Sequence, residues 1–419
     1  MGMSNSNRIL EVVNPICCGI DVHKKSMSVC LLYTSITGKE EFEIREYSTF
    51  TDDLYLFRDF LLSKQCPIAV MESTGIYWRP VYNVLEEQIE VMIVNARSIK
   101  NVPGKKTDIE DSRWLAGLLR FGLLKGSFIP EKRIRELRDL GRLRRKYKDT
   151  ISDFRRRTHK FFESANIKID SVVSDLFGVT GRSLMNLLLT KGKDITLAEV
   201  ELCAHGRLKE KAKELHRSVC GFFSKHHAFT LKLLLETIDD LESKVREIDV
   251  QLEELMKEDE ELVNRLKKSP GISDITARYI ISEIGVDLKT FEKASQLVSW
   301  CGLCPGNNES AGKRKSGKTR VRKHNLKIIM VEAAWAAVKT KGSYYKAKYY
   351  SIRARMGPKK AIVAVANRLL TGVYHVIKDG VDFVDKGEEY LANINKKAKI
   401  NRLSKLAQSY GFALIPISN

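Results

Sequence analysis

The sequence predicts an α/β domain at the N-terminus, an all-α middle and a mostly α-helical C-terminal domain. Apolar runs of strand composition crowd the first 95 residues. Helical spacing with little strand signal fills about 131–268, and helices set off by Pro-Gly and Gly-containing turns follow. The 419 residues exceed what one compact core holds, so two or three domains are expected.

In order along the chain, residues 1–14 are polar and read as a loose tail. Ile16 to Val22, Ser26 to Tyr33 and Glu40 to Tyr47 read as strands, the last two joined at Thr37-Gly38-Lys39. A helix over 51–63 carries Leu54, Leu56, Phe57, Phe60 and Leu61 on its apolar side. Ile68 to Glu72 is a short buried strand, Tyr77 to Glu87 a helix, and Val91 to Val94 a further strand. A helix over 107–120 opens with a capping box, Thr107 and Glu110, and anchors through Leu115, Leu118 and Leu119. Three antiparallel strands, then alternating helices and strands, is the order of a ribonuclease-H-like fold.

The middle opens with a basic helix rich in arginine, from Arg133 to Arg157, with Leu137, Leu140, Leu143, Tyr147, Ile151 and Phe154 on its other side. A second long helix, Phe229 to Lys267, has near-heptad apolar spacing and reads as a coiled-coil arm, within the chain or between protomers. The alternative is an amphipathic helix packed in its own domain. Pro270-Gly271-Ile272 before a helix over 276–284 resembles half of a helix-hairpin-helix, a turn that presents N–H groups to phosphate. Helices over 291–302 and 325–339 flank an exposed basic loop over 305–318. The domains expected are 15–165, 166–266 and 267–395, with a tail over 396–419.

Lys plus Arg is 72 and Asp plus Glu is 52, a net charge of +20. That excess favours a polyanion, either nucleic acid or an anionic membrane. No apolar run reaches the roughly 18 residues a membrane span needs, and the N-terminus has no apolar signal core. The expectation is a cytoplasmic protein with a nucleic-acid partner and no membrane. The eight cysteines are scattered and suggest no disulfide framework; Cys301 and Cys304 have zinc-knuckle spacing without a second pair, and read as buried thiols. Residues 311–360 hold sixteen Lys or Arg and one acid, Glu332, with Tyr344, Tyr345, Tyr349 and Tyr350 interleaved. Basic side chains contact phosphates and aromatics stack on unpaired bases, so this stretch is a nucleic-acid candidate.

Four acids stand out. Asp21 and Glu72 close apolar strand runs, and Asp108 and Asp111 share one face of a helix. Such a set can converge on divalent metal, and Mg²⁺ takes oxygen ligands for phosphodiester chemistry. By pattern alone a second reading stands beside it, since acids in a first helical turn are favoured anyway. Buried strand-end charges are costly unless paired or metal-bound, which makes Asp21 and Glu72 the harder pair to dismiss. Ser310 and Ser316 lie in the basic loop and qualify by composition as nucleophiles.

Three segments resemble the N-terminal motifs of the DEDD insertion-sequence transposases. They are Gly19-Ile20-Asp21-Val22-His23-Lys24, Met71-Glu72-Ser73-Thr74-Gly75 and Lys106-Thr107-Asp108-Ile109-Glu110-Asp111-Ser112. Pro270-Gly271-Ile272, Trp300 to Pro305 and Ser310-Ala311-Gly312-Lys313 resemble the family's second domain. The resemblance covers roughly 15–165 and 265–380. It implies a RuvC-like N-terminal domain, a C-terminal serine transposase domain, and a recombinase that moves its own element. It further implies guidance by a structured bridge RNA that pairs with target and donor DNA. Asp21, Glu72, Asp108 and Asp111 carry over as the acids that bind Mg²⁺, and Ser310 as the nucleophile that joins DNA. The family has Ser directly before Gly, whereas Ala311 intervenes here and Ser316 does precede Gly317; Ser310 is preferred for its short distance after Pro305. An active site shared between protomers of a dimer or tetramer is also implied. Charge and proximity make Lys313, Arg314, Lys315, Lys318, Arg320, Arg322 and Lys323 the candidate nucleic-acid contacts. Two rivals remain: a Holliday-junction-resolvase-like nuclease using water, and a non-catalytic nucleic-acid-binding protein.

Overall fold

The computed structural model describes residues 11–73, 75–95, 108–306, 308–310, 313–316, 319 and 324–415, without the side chains of 108, 109, 308–310 and 313–316. The chain forms two compact units, Met1–Ile129 and Pro130–Asn419.

The first unit is built on five strands: β1 (Ile16–Val22), β2 (Ser26–Thr34), β3 (Glu40–Ser48), β4 (Ile68–Glu72) and β5 (Glu90–Val94). Their order across the sheet is β3-β2-β1-β4-β5. The first three are antiparallel neighbours, and β4 and β5 add in parallel. This is the ribonuclease-H-like arrangement that the element order predicts. Parallel pairing needs a crossover between strands. Helices α1 (Thr51–Ser63) and α2 (Trp78–Leu85) supply these and cover one face. Their side chains Phe57, Leu61, Val81 and Leu85 join Ile20, Val29 and Met71 in one core. Each such burial contributes about 1.5–3 kcal/mol. Helix α3 (Asp108–Arg120) covers the other face, with Leu115, Ala116 and Leu119 on Cys17, Leu32, Val70 and Val94. Thr107, the expected N-cap of α3, lies outside the described residues.

The second unit begins with α4 (Lys132–Ser164). Then come α5 (Ile169–Val172), α6 (Val179–Lys191), α7 (Leu197–Cys203) and α8 (Ala212–Val219), a small bundle around Leu184, Leu188, Val200 and Leu215. The long helix expected over 229–267 is two helices, α9 (Lys225–Leu255) and α10 (Glu260–Lys267), with a 3-10 turn at Lys257–Asp259. The break has a physical cause. Met256 is fully buried, and the Asp259 carboxylate turns inward to meet Arg133 of α4. The apolar face of α9 packs on α4 of the same chain, through Ile151, Ile238 and Val245. This pairing of two long helices within the chain is compatible with either reading of that helix.

The remainder comprises α11 (Asp274–Ile284), α12 (Ala294–Trp300), the strands β6 (Asn308–Ser310) and β7 (Lys313–Ser316), α13 (Asn325–Lys339), α14 (Tyr344–Met356), α15 (Pro358–Lys378) and α16 (Gly387–Ser409). Ser273 caps α11, accepting from the Thr276 N–H at 3.2 Å. Before it, Gly271 has φ +80°, and a Cβ there would stand 2.2 Å from the Ala333 carbonyl oxygen. That turn is pressed against α13, so its glycine serves close helix packing. Among the described residues no helix is long and apolar enough to cross a membrane.

Candidate active site

The strand register decides which acids meet. Parallel pairing of β1 and β4 sets Ile20 opposite Met71, so Asp21 and Glu72 follow as the next neighbours at the two strand ends. Side chains alternate along a strand. Asp21 therefore shares a face with Gly19 and Cys17, and Glu72 with Val70 and Ile68. That face is the one α3 covers. The register thus puts Asp21 and Glu72 at neighbouring strand ends on the sheet face that α3 covers.

Helix α3 runs opposite to β1 and rests directly on it. The Cys17 thiol donates to the Ala116 carbonyl at 3.4 Å, near the helix's C-terminal end. A Cβ on Gly19 would lie 2.0 Å from the Ser112 carbonyl oxygen and 2.5 Å from the Ala116 nitrogen. One pleat further, Asp21 comes level with the helix's first turn, which carries Asp108 and Asp111. Ser28, the β2 partner of Asp21, has its hydroxyl 3.3 Å from that of Ser112. At the far end Arg120 is buried, donating to the Pro15 carbonyl at 2.9 Å and the Thr34 hydroxyl at 2.7 Å. These contacts fix the position of the acid-bearing turn along β1. Sequence reading missed Gly19, Ser28, Ser112 and Arg120 as its positioning residues. The one available signal was glycine within an apolar strand, which often marks close backbone approach.

The Asp21 side chain is 19% exposed, and its Oδ2 lies 3.2 Å from His23 Nε2. Glu72 and Asp111 are half-buried. The Asp108 side chain lies outside the described residues. Among the described residues no three His, Cys, Asp or Glu side chains stand close enough to hold a metal. The residue types Asp21, Glu72 and Asp111 are oxygen donors of the kind a hard divalent cation takes, with His23 beside Asp21 as a nitrogen neighbour. The nearby thiols do not compete. Burial pushes Cys17 up to about 12 and Cys30 up to about 11, so both stay protonated at neutral pH.

The second candidate element is not a loop but a hairpin. Strands β6 and β7 are antiparallel, with Ser310 opposite Lys313, Glu309 opposite Arg314 and Asn308 opposite Ser316. Pro305 and Thr319 bridge below it. Ser310 is thus the last residue of β6, beside the connection, and Ser316 ends β7 at the far end. The side chains of Ser310, Lys313, Arg314, Lys315 and Ser316 lie outside the described residues, as do Lys318, Arg320, Arg322 and Lys323 altogether.

The arginines of α4 are largely paired with acids within the unit. Arg142 donates to both oxygens of the buried Glu283 at 3.0 Å, Arg144 to Asp249 at 2.9 Å and Arg155 to Glu242 at 2.7 Å.

Comparison with known proteins adds the following. The DEDD transposase model of the IS110 type matches residues 18–167. The model described as Transposase IS116/IS110/IS902 family matches residues 263–351. A chain of Sinorhizobium fredii (strain NBRC 101917 / NGR234), named as a transposase, is 26% identical over 149 residues. That match covers 34% of this chain and 38% of the relative, so it spans little more than a third of the relative's length. Among solved structures, Thermus thermophilus RuvC aligns over 27% of this chain and 99% of its own, at 10% identity and a TM-score of 0.22.

Proposed function

Because the chain belongs to the DEDD insertion-sequence transposase family, we propose that it is an RNA-guided DNA recombinase that excises and inserts its own element. A structured bridge RNA selects donor and target DNA by base pairing. Asp21, Glu72, Asp108 and Asp111 hold Mg²⁺, which when bound neutralises and polarises the scissile phosphate.

Ser310 is the nucleophile. Its Oγ attacks the phosphorus, a P–Oγ bond forms, and the bond from phosphorus to the leaving sugar oxygen breaks. The serine proton is lost to a neighbouring base or water, and the leaving oxygen gains one. The phosphoserine diester conserves the bond energy until a second sugar hydroxyl reverses the step. Lys313, Arg314, Lys315, Lys318, Arg320, Arg322 and Lys323 steady the phosphate backbone. The protein acts in the cytoplasm as a dimer or tetramer, with the acids of one protomer beside the serine of another.

The observation that supports this reading most directly is the register that makes Asp21 and Glu72 neighbours on the α3 face. The test is a denaturing gel of the whole protein with its element-end DNA, flanking noncoding RNA and Mg²⁺. A protein–DNA adduct that Ser310→Ala abolishes is expected. An adduct that instead persists in Ser310→Ala and vanishes in Ser316→Ala would move the nucleophile to Ser316. Cleavage without any adduct would replace the serine by water.

A further inference from the structure

No acidic residue occurs between Glu332 and Asp379, a stretch that holds the end of α13 and all of α14. Lys339, Lys346 and Arg353 there make no ion pair among the described residues, unlike the arginines of α4. A positive surface without counter-charge suits a polyanion. The aromatic rings set in it say which kind.

Tyr345 and Tyr349 are both 4% exposed, so two of the four tyrosines are core and unavailable for stacking on bases, against the expectation from sequence. Tyr344 packs on Tyr390 of α16, with ring centroids 6.2 Å apart. Tyr350 lies about 120° round α14 from Tyr344 and is 51% exposed. Trp335 of α13 is 42% exposed. Both open rings meet Tyr349 edge to face, Trp335 at 5.5 Å and Tyr350 at 5.3 Å between centroids. That is a favoured aromatic arrangement, so the buried tyrosine holds two half-open rings on one surface. Arg353 lies over the Tyr350 ring, its Cζ 5.9 Å from the centroid. Lys339 follows Trp335, and Lys346 precedes Tyr350, by one helical turn each. On the Trp335 side of α13, at three- and four-residue steps, come Glu332 and Ile328. These two line a cleft of about 430 Å³ between α4, α11 and α13, together with Arg145 and Lys148 of α4. Glu332 holds Arg145 at 2.9 Å, and Lys148 makes no ion pair among the described residues.

We propose that Trp335 and Tyr350 form a stacking platform for the bases of an unpaired DNA strand, whose phosphates run on along α13 towards Arg145 and Lys148. An open aromatic ring serves a base whose own faces are free, whatever its sequence. A duplex spends those faces on its own stack. Lys339, Lys346 and Arg353 meet the phosphates that flank the stacked bases. Trp335 and Ile328 are about 10 Å apart along the helix, so the cleft lies within reach of the same strand. Glu332, the one acid between residues 311 and 360, competes with phosphate for Arg145. This proposal rests on the reading of the chain as an RNA-guided recombinase. Where an RNA pairs with one DNA strand, the other strand is set free and needs a holder.

The test is fluorescence anisotropy of the full-length protein with a single DNA strand, an RNA strand of the same sequence and the DNA duplex. Trp335→Ala and Tyr350→Ala are each expected to weaken DNA-strand binding about tenfold and to leave duplex binding unchanged. Trp335→Phe keeps a ring on Tyr349 and should keep most of the affinity, while the quench of tryptophan emission by the DNA strand disappears. That variant carries the test if thermal unfolding shows Trp335→Ala to be destabilised. Glu332→Gln is expected to tighten DNA-strand binding a few-fold. Unchanged strand affinity in the alanine variants, a quench that survives in Trp335→Phe, or equal losses on strand and duplex would overturn the platform. A larger loss on the RNA strand than on the DNA strand would overturn it too, and give the surface to RNA. Adduct formation is read separately. Adduct with no effect of these variants on strand binding removes this proposal alone; sensitive strand binding without any adduct removes the serine mechanism alone.

Discussion

Gly19 lies so close beneath Ser112 that any β-carbon on it would stand 2.0 Å from the Ser112 carbonyl oxygen. Backbone cannot yield as a flexible side-chain end does. The substitution Gly19→Ala should therefore push α3 off the sheet and cost about 1–3 kcal/mol. Urea unfolding should show an earlier transition, and DNA cleavage should fall because the helix carries Asp108 and Asp111. An unchanged transition with unchanged cleavage would show that α3 does not index the acids.

The acids and the cations proposed to hold DNA are different residues, so on that reading chemistry and binding should separate. Asp21→Asn and Glu72→Gln should each lower cleavage by about a thousandfold or more, in line with removal of a member of a catalytic unit. DNA-duplex affinity, read by anisotropy, should stay within a few-fold of the parent. Loss of affinity in parallel with cleavage would mean that these acids support the fold rather than the reaction.

Glu283 is 2% exposed and serves two arginines, Arg138 and Arg142. Removing its charge takes the carboxylate from both guanidinium groups. Glu283→Gln should destabilise the second unit by about 3 kcal/mol, the scale for breaking a buried pair by one partner. Thermal unfolding reports it. A small change would mean that solvent reaching the half-exposed Arg142 compensates.

The first unit's thiols give a pH dependence of known sign. Burial raises Cys17 to about 12 and Cys66 to about 11, above the ordinary thiol value. A raised group gives stability that is complete below the unfolded thiol's range near 9 and is lost as pH climbs towards 11–12. Stability should thus fall above pH 9, and less steeply in Cys17→Ala, as urea midpoints at pH 8 to 11 will read. At pH 8, iodoacetamide should label the exposed Cys220 and spare Cys17, Cys18, Cys30 and Cys66. Rapid labelling of Cys17 would contradict its burial.

The sheet was legible because its strands are apolar runs with local boundaries, and Asp21 and Glu72 stood out as charges ending such runs. Their adjacency was not legible. It depends on a parallel pairing between residues far apart in the chain. The break after Leu255 was also hidden, since the heptad spacing runs through it while its cause, Arg133, is remote in sequence. The same holds for α4, whose arginine row is plain in the sequence while the acids that pair with it arrive from α9 and α11. In α14 the four tyrosines look alike in sequence, yet two of them are core. Ser310 was read into a loop because Lys-Arg-Lys lacks strand hydrophobicity, and pairing rather than burial makes the hairpin.

The path of α3 across β1 has a consequence for synthesis of the protein. The acids arise from residue 21 at one extreme and residue 111 at the other, and they face one another only once α3 has settled on Gly19. A nascent chain still lacking Arg120 has the strand-end carboxylates but neither the helix nor the clamp that aligns it. Helix α3 can therefore take its place on Gly19 only after the whole first unit has emerged, so the alignment of that turn is a late event in synthesis.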